Sequence, residues 1–469
     1  MDHYEYYAQP AVRRRLWEYI ADVHGEPTSH YLVGYGRELL RQGNDRPFES
    51  ASVEELGDIL DNRLDVFRSV WDRQSTLFIL DIEYYNRDHP ERVYLCSHDV
   101  FVALEPLYHQ VRSLLSDYGI DHMSIMTGQG YHFVTRVPFQ SWAHHHLERL
   151  ASVPDTLLGK YAHLAPGTRR RERVTMTAAA GFEAMGRLLG FFTQEIIRRT
   201  AAHVSLPLQV SDVAVGPREH GREAISIDTT MYGDPLFMRD IRLPFSTHQK
   251  HKVQSYKVGK AVSEGTPIQI TLPRATNSGE IGLWAALKMR RDFAAAAEYA
   301  AVQCCAIPDG QQGVARLIDA YEQSELARFD RELDATPQDP WPDWPNTYDR
   351  TDLDQLPPCV ALPLRNPNPA LLQPTNLQTI VRCLLGRGWH PAHVAGLVRS
   401  RYERGHGWEE DWSKYDANSR ARYWVRTYAG LLATGVDGLV DHNCISHWEK
   451  GHCPAPNCGF RLTDERPWR

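Results

Sequence analysis

Apolar positions along this chain change their spacing several times, and the changes mark out elements. Up to about residue 60 they recur at helical intervals, with Arg13, Arg14 and Arg15 on an early amphipathic segment, so short helices are expected over 1–70. STLFILDIEYY, residues 75–85, is a β-rich apolar run that turns polar, the pattern of a buried strand that ends in a site. DVFVALEPLYHQVRSLLSDYG, 99–119, spaces its apolar residues by three and four and stops at Gly119, which predicts a helix. MSIMTGQGYHFVTRVPF, 123–139, predicts strand, glycine turn and strand. A helical insert over 142–202 follows, then strand character returns in EAISIDTTMYG and RDIRLPF. Helices are expected over 284–301 and on to 333. The order predicts an α+β domain over 1–334.

Residues 335–356 are dense in Pro, Asp and Trp, a composition that reads as a stiff linker, and 357–469 then form a mostly helical C-terminal domain. The 469 residues, 42% of them hydrophobic, suffice for two or three cores. No apolar run approaches the ~20 residues that span a bilayer, and the first residues lack an apolar signal region, so a soluble, cytoplasmic protein is expected. The net charge of -7 argues against a protein that coats nucleic acid, yet residues 359–469 hold 14 Lys+Arg against 10 Asp+Glu. A basic module thus follows an acidic body.

Residues i and i+2 of a strand share a face, so Asp81 and Glu83 point together while Ile82 points to the core. Two such carboxylates repel by roughly 3 to 4 kcal/mol at an effective dielectric near 20, a cost that a divalent cation removes. Hard oxygen ligands suit Mg²⁺ or Mn²⁺ and leave coordination sites for phosphates. By itself the pair is also compatible with a solvated strand edge. TGQGYHF adds Thr127, Gly128, Gln129 and Gly130, a flexible turn whose backbone N–H groups can approach a phosphate, followed by the donor His132. ISIDTTM ends a β-type run on a third carboxylate, Asp228, and RDIRLPFSTHQKHK supplies Arg242, His248 and Lys250 as phosphate donors.

The succession hhhD-x-E, G-x-H and hD, followed by R-x-P-x-S-x-H-x-K, resembles the archaeo-eukaryotic primase superfamily over residues 75–252. The resemblance implies a primase-type core, an RRM-like sheet with helices. It makes Asp81, Glu83 and Asp228 the ligands of a two-metal site and His132, Arg242 and His248 contacts to nucleotide phosphates, with Ser246 in the same motif. Replicative small subunits carry an arginine pair in the glycine turn where this chain has Gln129, so triphosphate binding would lean on Arg242 or Arg136. The glutamate at position 83 resembles the primase-polymerase branch.

Three thiols, Cys444, Cys453 and Cys458, sit within fifteen residues, interleaved with His442, His447 and His452, and read as metal ligands. His447 could complete a Cys3His zinc site. LPPCVALPL and the helical stretch after it resemble the C-terminal iron–sulfur domain of the primase large subunit, which implies Cys359, Cys444, Cys453 and Cys458 around a [4Fe–4S] cluster. Arginines and aromatic residues interleave between 365 and 426, as a single-strand surface requires, with Trp408 and Trp412 among the rings and Arg399, Arg401 and Arg404 as the template contacts to test. Most of the rings are expected in the module's own core, and the Arg169–Arg173 run in a solvated loop.

These readings converge on a template-dependent nucleotidyltransferase, a DNA primase or primase-polymerase acting in DNA replication. Its partners would be single-stranded DNA template, primer and nucleoside triphosphates. No G-x-x-x-x-G-K-[ST] loop is present, so unwinding would fall to a separate helicase. Two other classes remain at this level: a metal-dependent nuclease, and a nucleic-acid-binding module with a degenerate site. The phosphate donors discriminate, because a nuclease needs no triphosphate clamp.

Overall fold

A computed structural model describes the chain apart from residues 165–171, 212–214, 237–239, 366–368, 405–414, 440–442 and 466–469. Arg169, Arg170, Arg171, Trp408, Trp412 and His442 therefore lie outside the described residues. In chain order the strands are β1 (Leu32–Tyr35), β2 (Phe48–Ala51), β3 (Asp65–Arg68), β4 (Ser75–Asn86), β5 (Met123–Met126), β6 (Gly130–Pro138) and β7 (Leu208–Val210). They continue as β8 (Glu223–Asp228), β9 (Ile241–Arg242), β10 (Thr247–His248), β11 (Gln269–Ile270), β12 (Leu272–Thr276) and β13 (Gly279–Glu280). The architecture is α+β.

A long strand with alternate residues buried against helices needs neighbours on both edges, and β4 has them. It runs antiparallel to β6 on one side and β8 on the other, inside a mixed sheet ordered β13-β12-β5-β6-β4-β8-β7. The Ser97–Asp117 helix joins β4 to β5, and the Met176–Thr200 helix lies between β6 and β8. The two helices pack on each other and on one face of the sheet, giving β-α-β-β-α-β connectivity for β4, β5, β6 and β8. Phe78 meets Phe192 edge-on at 5.4 Å, so Phe78, Leu80 and Ile82 face the helices. Each such burial stabilises by roughly 1.5 to 3 kcal/mol. Asp81 and Glu83, on the other face, are only half-buried.

The stretch 1–70 departs from the helical expectation. Helices His3–Ala8 and Pro10–Ile20 are present, but β1, β2 and β3 join β9 in a second sheet ordered β2-β1-β3-β9. The strands are four residues long, and Leu32 and Val33 are both buried, so no period-two alternation marks them. The region 142–202 is helical as expected, yet Met176–Thr200 is one of the two helices that build the core and not an insertion.

Residues 335–356 are mostly exposed, but two of their rings are anchored. Trp344 and Tyr348 are buried, at 1% and 2% exposure, within 3₁₀ turns Trp341–Asn346 and Tyr348–Arg350. Proline stiffens a backbone but does not decide whether the side chains beside it find an apolar seat. Arg399 and Arg404 lie over the Trp344 ring at 5.8 and 5.6 Å, and Arg401 and Arg404 both pair with Asp349. The arginines expected to touch template thus hold this segment down. Trp344→Ala is expected to cost about 3 to 5 kcal/mol in urea unfolding, through the lost ring and the cavity left behind. An unchanged midpoint would return 335–356 to a spacer.

The helices Pro374–Gly386, Pro391–Tyr402 and Ala417–Ala433 form the C-terminal core, with Tyr402, Trp424 and Tyr428 at 1% exposure and Trp389, Tyr415 and Tyr423 half-buried. This core docks at the end of β8, where the Tyr423 hydroxyl donates to Thr229 O at 2.5 Å, and on the Asp155–Ala162 helix, where Lys160 pairs with Asp416 at 3.1 Å. No helix among the described residues is long and apolar enough to cross a membrane.

Candidate active site

Register decides which charged side chains meet. Antiparallel pairing places Asp228 of β8 opposite Asp81 and His132 of β6 opposite Asp81 on the other side. Directly opposed residues point to the same face with Cβ atoms about 4.5 to 5.5 Å apart, so Asp228, Asp81 and His132 form a row across three strands. Glu83 continues along β4, opposite Gly130. This row faces away from the two core helices. The small sheet stands over it, and the cleft between them holds ≈ 1220 Å³ of empty space, part of it open to solvent.

Asp81, Glu83, Thr127, Gln129, His132, Arg242, His248 and Lys250 line this cleft. His132 Nε2 stands 3.3 Å from Asp81 Oδ1 but outside hydrogen-bond geometry, which leaves that buried oxygen without a donor. Burial pushes the Glu83 carboxyl above its ordinary range; Lys250 opposes the shift, and Asp81 and Asp228 add to it. Lys250 Nζ also donates to Gln129 Oε1 at 2.5 Å. His248 is 3% exposed, and burial, then Arg242 and Lys250, drive it well below the usual imidazole range, so its ring is neutral at pH 7. Three carboxylates, one of them with an orphaned oxygen, offer the hard oxygen set that Mg²⁺ or Mn²⁺ takes.

Several expected contacts take other roles. Arg242 is 6% exposed, pairs with the fully buried Asp65 at 2.5 Å and lies 4.2 Å from the Phe67 ring centroid. Any phosphate must therefore share it with Asp65. Ser246 is fully buried, and its hydroxyl accepts from Val66 N at 2.7 Å, so it ties the loop to β3 and does not line the cleft. Arg136 is buried at the far end of β6, donates to Ala21 O and is also outside the cleft lining. Asp228 is 9% exposed and sits behind the lining, with Oδ1 accepting from Thr230 N at 2.9 Å.

The glycine turn is organised inward. The N–H groups of Gln129 and Gly130 point to Thr127 Oγ1, at 3.4 and 3.1 Å, so they are not spare phosphate donors. A Cβ on Gly128 would lie 2.1 Å from His248 Nε2, and one on Gly130 would lie 1.8 Å from Ile82 O. Both glycines permit close approach: one seats the imidazole, the other seats β4. Sequence reasoning missed Asp65 and the cleft wall formed by Val33, Tyr35 and Phe67, which lie upstream of every motif and carry no chemical signature.

At the C-terminal end, Cys359, Cys444, Cys453 and Cys458 line one small pocket together with His447. Cys359 comes from the start of the Pro358–Arg365 helix, 85 residues before Cys444. Burial, then the neighbouring thiol Cys453 and, more weakly, Cys444 and Cys458, push its thiol up to about 12. Four thiols around one pocket are a donor set for a soft metal centre. His447 is lowered to about 4 by burial, then by His452 and Lys450, and its Nε2 is buried without a partner. Among the described residues, three His, Cys, Asp or Glu ligand atoms come within 4.8 Å of one another only at His146, Asp319 and Glu322, a half-exposed surface group.

Compared with models of protein families, with curated proteins and with solved structures, the chain has no match.

Proposed function

We propose that this protein is a template-dependent nucleotidyltransferase, a primase or primase-polymerase that builds strands on single-stranded DNA from nucleoside triphosphates. The observation that carries the reading is the row Asp228, Asp81 and His132 across β8, β4 and β6, with Asp81 and His132 lining one cleft together with Glu83, His248 and Lys250 and Asp228 just behind it. The β-α-β-β-α-β sheet with its helices on one face supports an RRM-like, primase-type core. A nuclease needs the carboxylates but not a set of imidazole and ammonium donors across the cleft from them.

Asp81, Glu83 and Asp228 would hold Mg²⁺ or Mn²⁺. Bound there, such ions activate the attacking hydroxyl and neutralise the pyrophosphate leaving group. The chain's own groups do the rest. His132 and the neutral His248 offer ring N–H groups to phosphate oxygens, and Lys250 adds a point charge. Asp65 holds Arg242 at the cleft wall, so the guanidinium needs no reordering when an anion arrives.

We read the C-terminal thiols as ligands of a [4Fe–4S] cluster on Cys359, Cys444, Cys453 and Cys458, with zinc on the three later cysteines and His447 as the competitor; the reading is supported by the fourth thiol, Cys359, which lines the same pocket as the other three. Protein purified without oxygen is expected to be brown, and Cys359→Ser to lose the colour and lower the melting temperature. A colourless, zinc-loaded protein would overturn the cluster.

The test of function is incubation of the full chain with single-stranded DNA, labelled ribo- or deoxynucleotides and Mn²⁺ or Mg²⁺, without primer. Extended products establish priming. Products that need an added primer establish a polymerase, and none under either condition sinks the proposal.

A further inference from the structure

A second cavity lies at the β7 edge of the large sheet, between the Met176–Thr200 and Ala417–Ala433 helices, with the Glu325–Ala335 helix as a third wall. It holds ≈ 1250 Å³ of empty space, part of it open to solvent. The nucleotidyl-transfer reading uses none of its residues.

Its shape is set by glycine. Gly186 and Gly190 stand one turn apart on the Met176–Thr200 helix and both line the cavity. A glycine inside a helix costs roughly 1 kcal/mol relative to alanine. Close packing does not explain that cost at Gly190, because a Cβ there would meet nothing within 4 Å. The missing side chain leaves room.

Its charge is unbalanced. Arg187, Arg422 and Arg426 surround Asp334, each at 2.6 Å, and Arg426 also pairs with Asp330 at 2.6 Å. Three guanidinium groups face two aspartates. Glu183 does not supply the third full negative charge: burial pushes its carboxyl up to about 7 against the pull of Arg187 and Arg426. Glu183 Oε1 is buried without a donor, and so is the hydroxyl of Thr193, which is 1% exposed. Excess positive charge, an acceptor and a hydroxyl awaiting partners, and apolar walls at Leu326 and Leu431 describe a ligand with an anionic end and a flat polar body.

We propose that this cavity binds a free nucleotide, its phosphate against Arg187 and Arg422 and its base over the glycine face within reach of Glu183. The site touches the transfer machinery through one residue. Tyr423 lines the cavity and donates its hydroxyl to Thr229 O, and Thr229 follows Asp228 directly. A ligand packed against Tyr423 bears on where Asp228 stands, so occupancy tunes metal affinity in the cleft. This coupling rests on the reading of Asp228 as a metal ligand; the binding site does not.

Calorimetric titration of the full chain with AMP in EDTA tests the site apart from the cleft. One equivalent is expected to bind, with inorganic phosphate competing at least tenfold more weakly. Arg422→Gln should weaken AMP at least tenfold, and Gly190→Leu should abolish binding with a melting temperature no lower than the parent's, which guards against a misfolded arginine variant. Asp81→Ala should bind AMP like the parent. No binding at millimolar AMP, equal affinity for phosphate and AMP, or loss in Asp81→Ala with retention in Gly190→Leu each overturns the proposal. For the coupling, the Mn²⁺-induced rise in melting temperature is expected to change with AMP present and to stop changing in Tyr423→Phe. An unaltered Mn²⁺ response with AMP bound removes the coupling. Absence of any Mn²⁺ response removes the metal reading and leaves the nucleotide site standing.

Discussion

Replacing Asp81 and Glu83 together by alanine is expected to abolish nucleotide incorporation, by about 10³-fold or more, while the protein folds at least as well as the parent. The size follows from the several kcal/mol of transition-state charge stabilisation that divalent cations contribute when carboxylates position them. The stability sign follows from the site itself. Glu83 is held above its ordinary range by burial and by its neighbours Asp81 and Asp228, so the ionised pair is a strain on the metal-free fold. Removing it relieves that repulsion, and the double variant should melt no lower than the parent in EDTA. In the parent, Mn²⁺ should raise the melting temperature by binding the folded state; in the variant it should not. Full incorporation by Asp81→Ala, Glu83→Ala, or an undiminished Mn²⁺ shift, would remove these residues from the chemistry.

Gly130→Ala is expected to destabilise the protein by about 3 kcal/mol or more, because the new methyl would sit 1.8 Å from Ile82 O, a backbone atom of β4. Neither strand can yield cheaply. Ile82 O lies in the middle of a strand paired on both sides, and Gly130 is itself opposite Glu83 in the ladder. Any relief shifts Glu83 relative to Asp81, so activity should fall with stability. Gly128→Ala makes the informative contrast: its methyl would meet the His248 ring at 2.1 Å, a side chain and not backbone. That variant should lose less stability and more nucleotide affinity. Urea midpoints and incorporation kinetics on the two variants check both statements, and an unchanged midpoint for Gly130→Ala would show that β4 and β6 are not locked as described.

Much of the central layer was readable from local pattern. The run ending in Asp81-Ile82-Glu83 is β4, with Ile82 inward; the apolar spacing over 99–119 is the Ser97–Asp117 helix; and TGQG is a turn between β5 and β6. The helix buries one stripe, so its period in sequence equals its period of burial, whereas β4, buried at every position from Ser75 to Leu80, was legible as a continuous apolar run. Where an element is covered on both faces, the period vanishes. Leu32 and Val33 of β1 are both buried, which hid β1; β2 and β3 are only four residues long, and only β9 of this sheet falls in a stretch expected as strand, RDIRLPF. At 335–356 composition told part of the story: most positions are exposed, as prolines and aspartates suggest, while Trp344 finds a seat under Arg399 and Arg404.

The same division runs through the candidate site. The sequence by itself determined the donor types and their order: two carboxylates two residues apart on a strand, a glycine turn before a histidine, a third carboxylate ending a later strand, and three clustered thiols. These are local facts, because residue spacing along one element fixes which side chains share a face. Only the tertiary structure decided which of them meet. Strand register set Asp228 and His132 on either side of Asp81, and chain folding brought Cys359 into the pocket of thiols 85 residues downstream. It also removed Ser246 and Arg136 from the cleft, tied Arg242 to Asp65, and turned Arg401 and Arg404 onto Asp349. A cationic side chain is drawn to whichever carboxylate the fold sets beside it, and that partner is chosen by long-range packing, which leaves no local period to read.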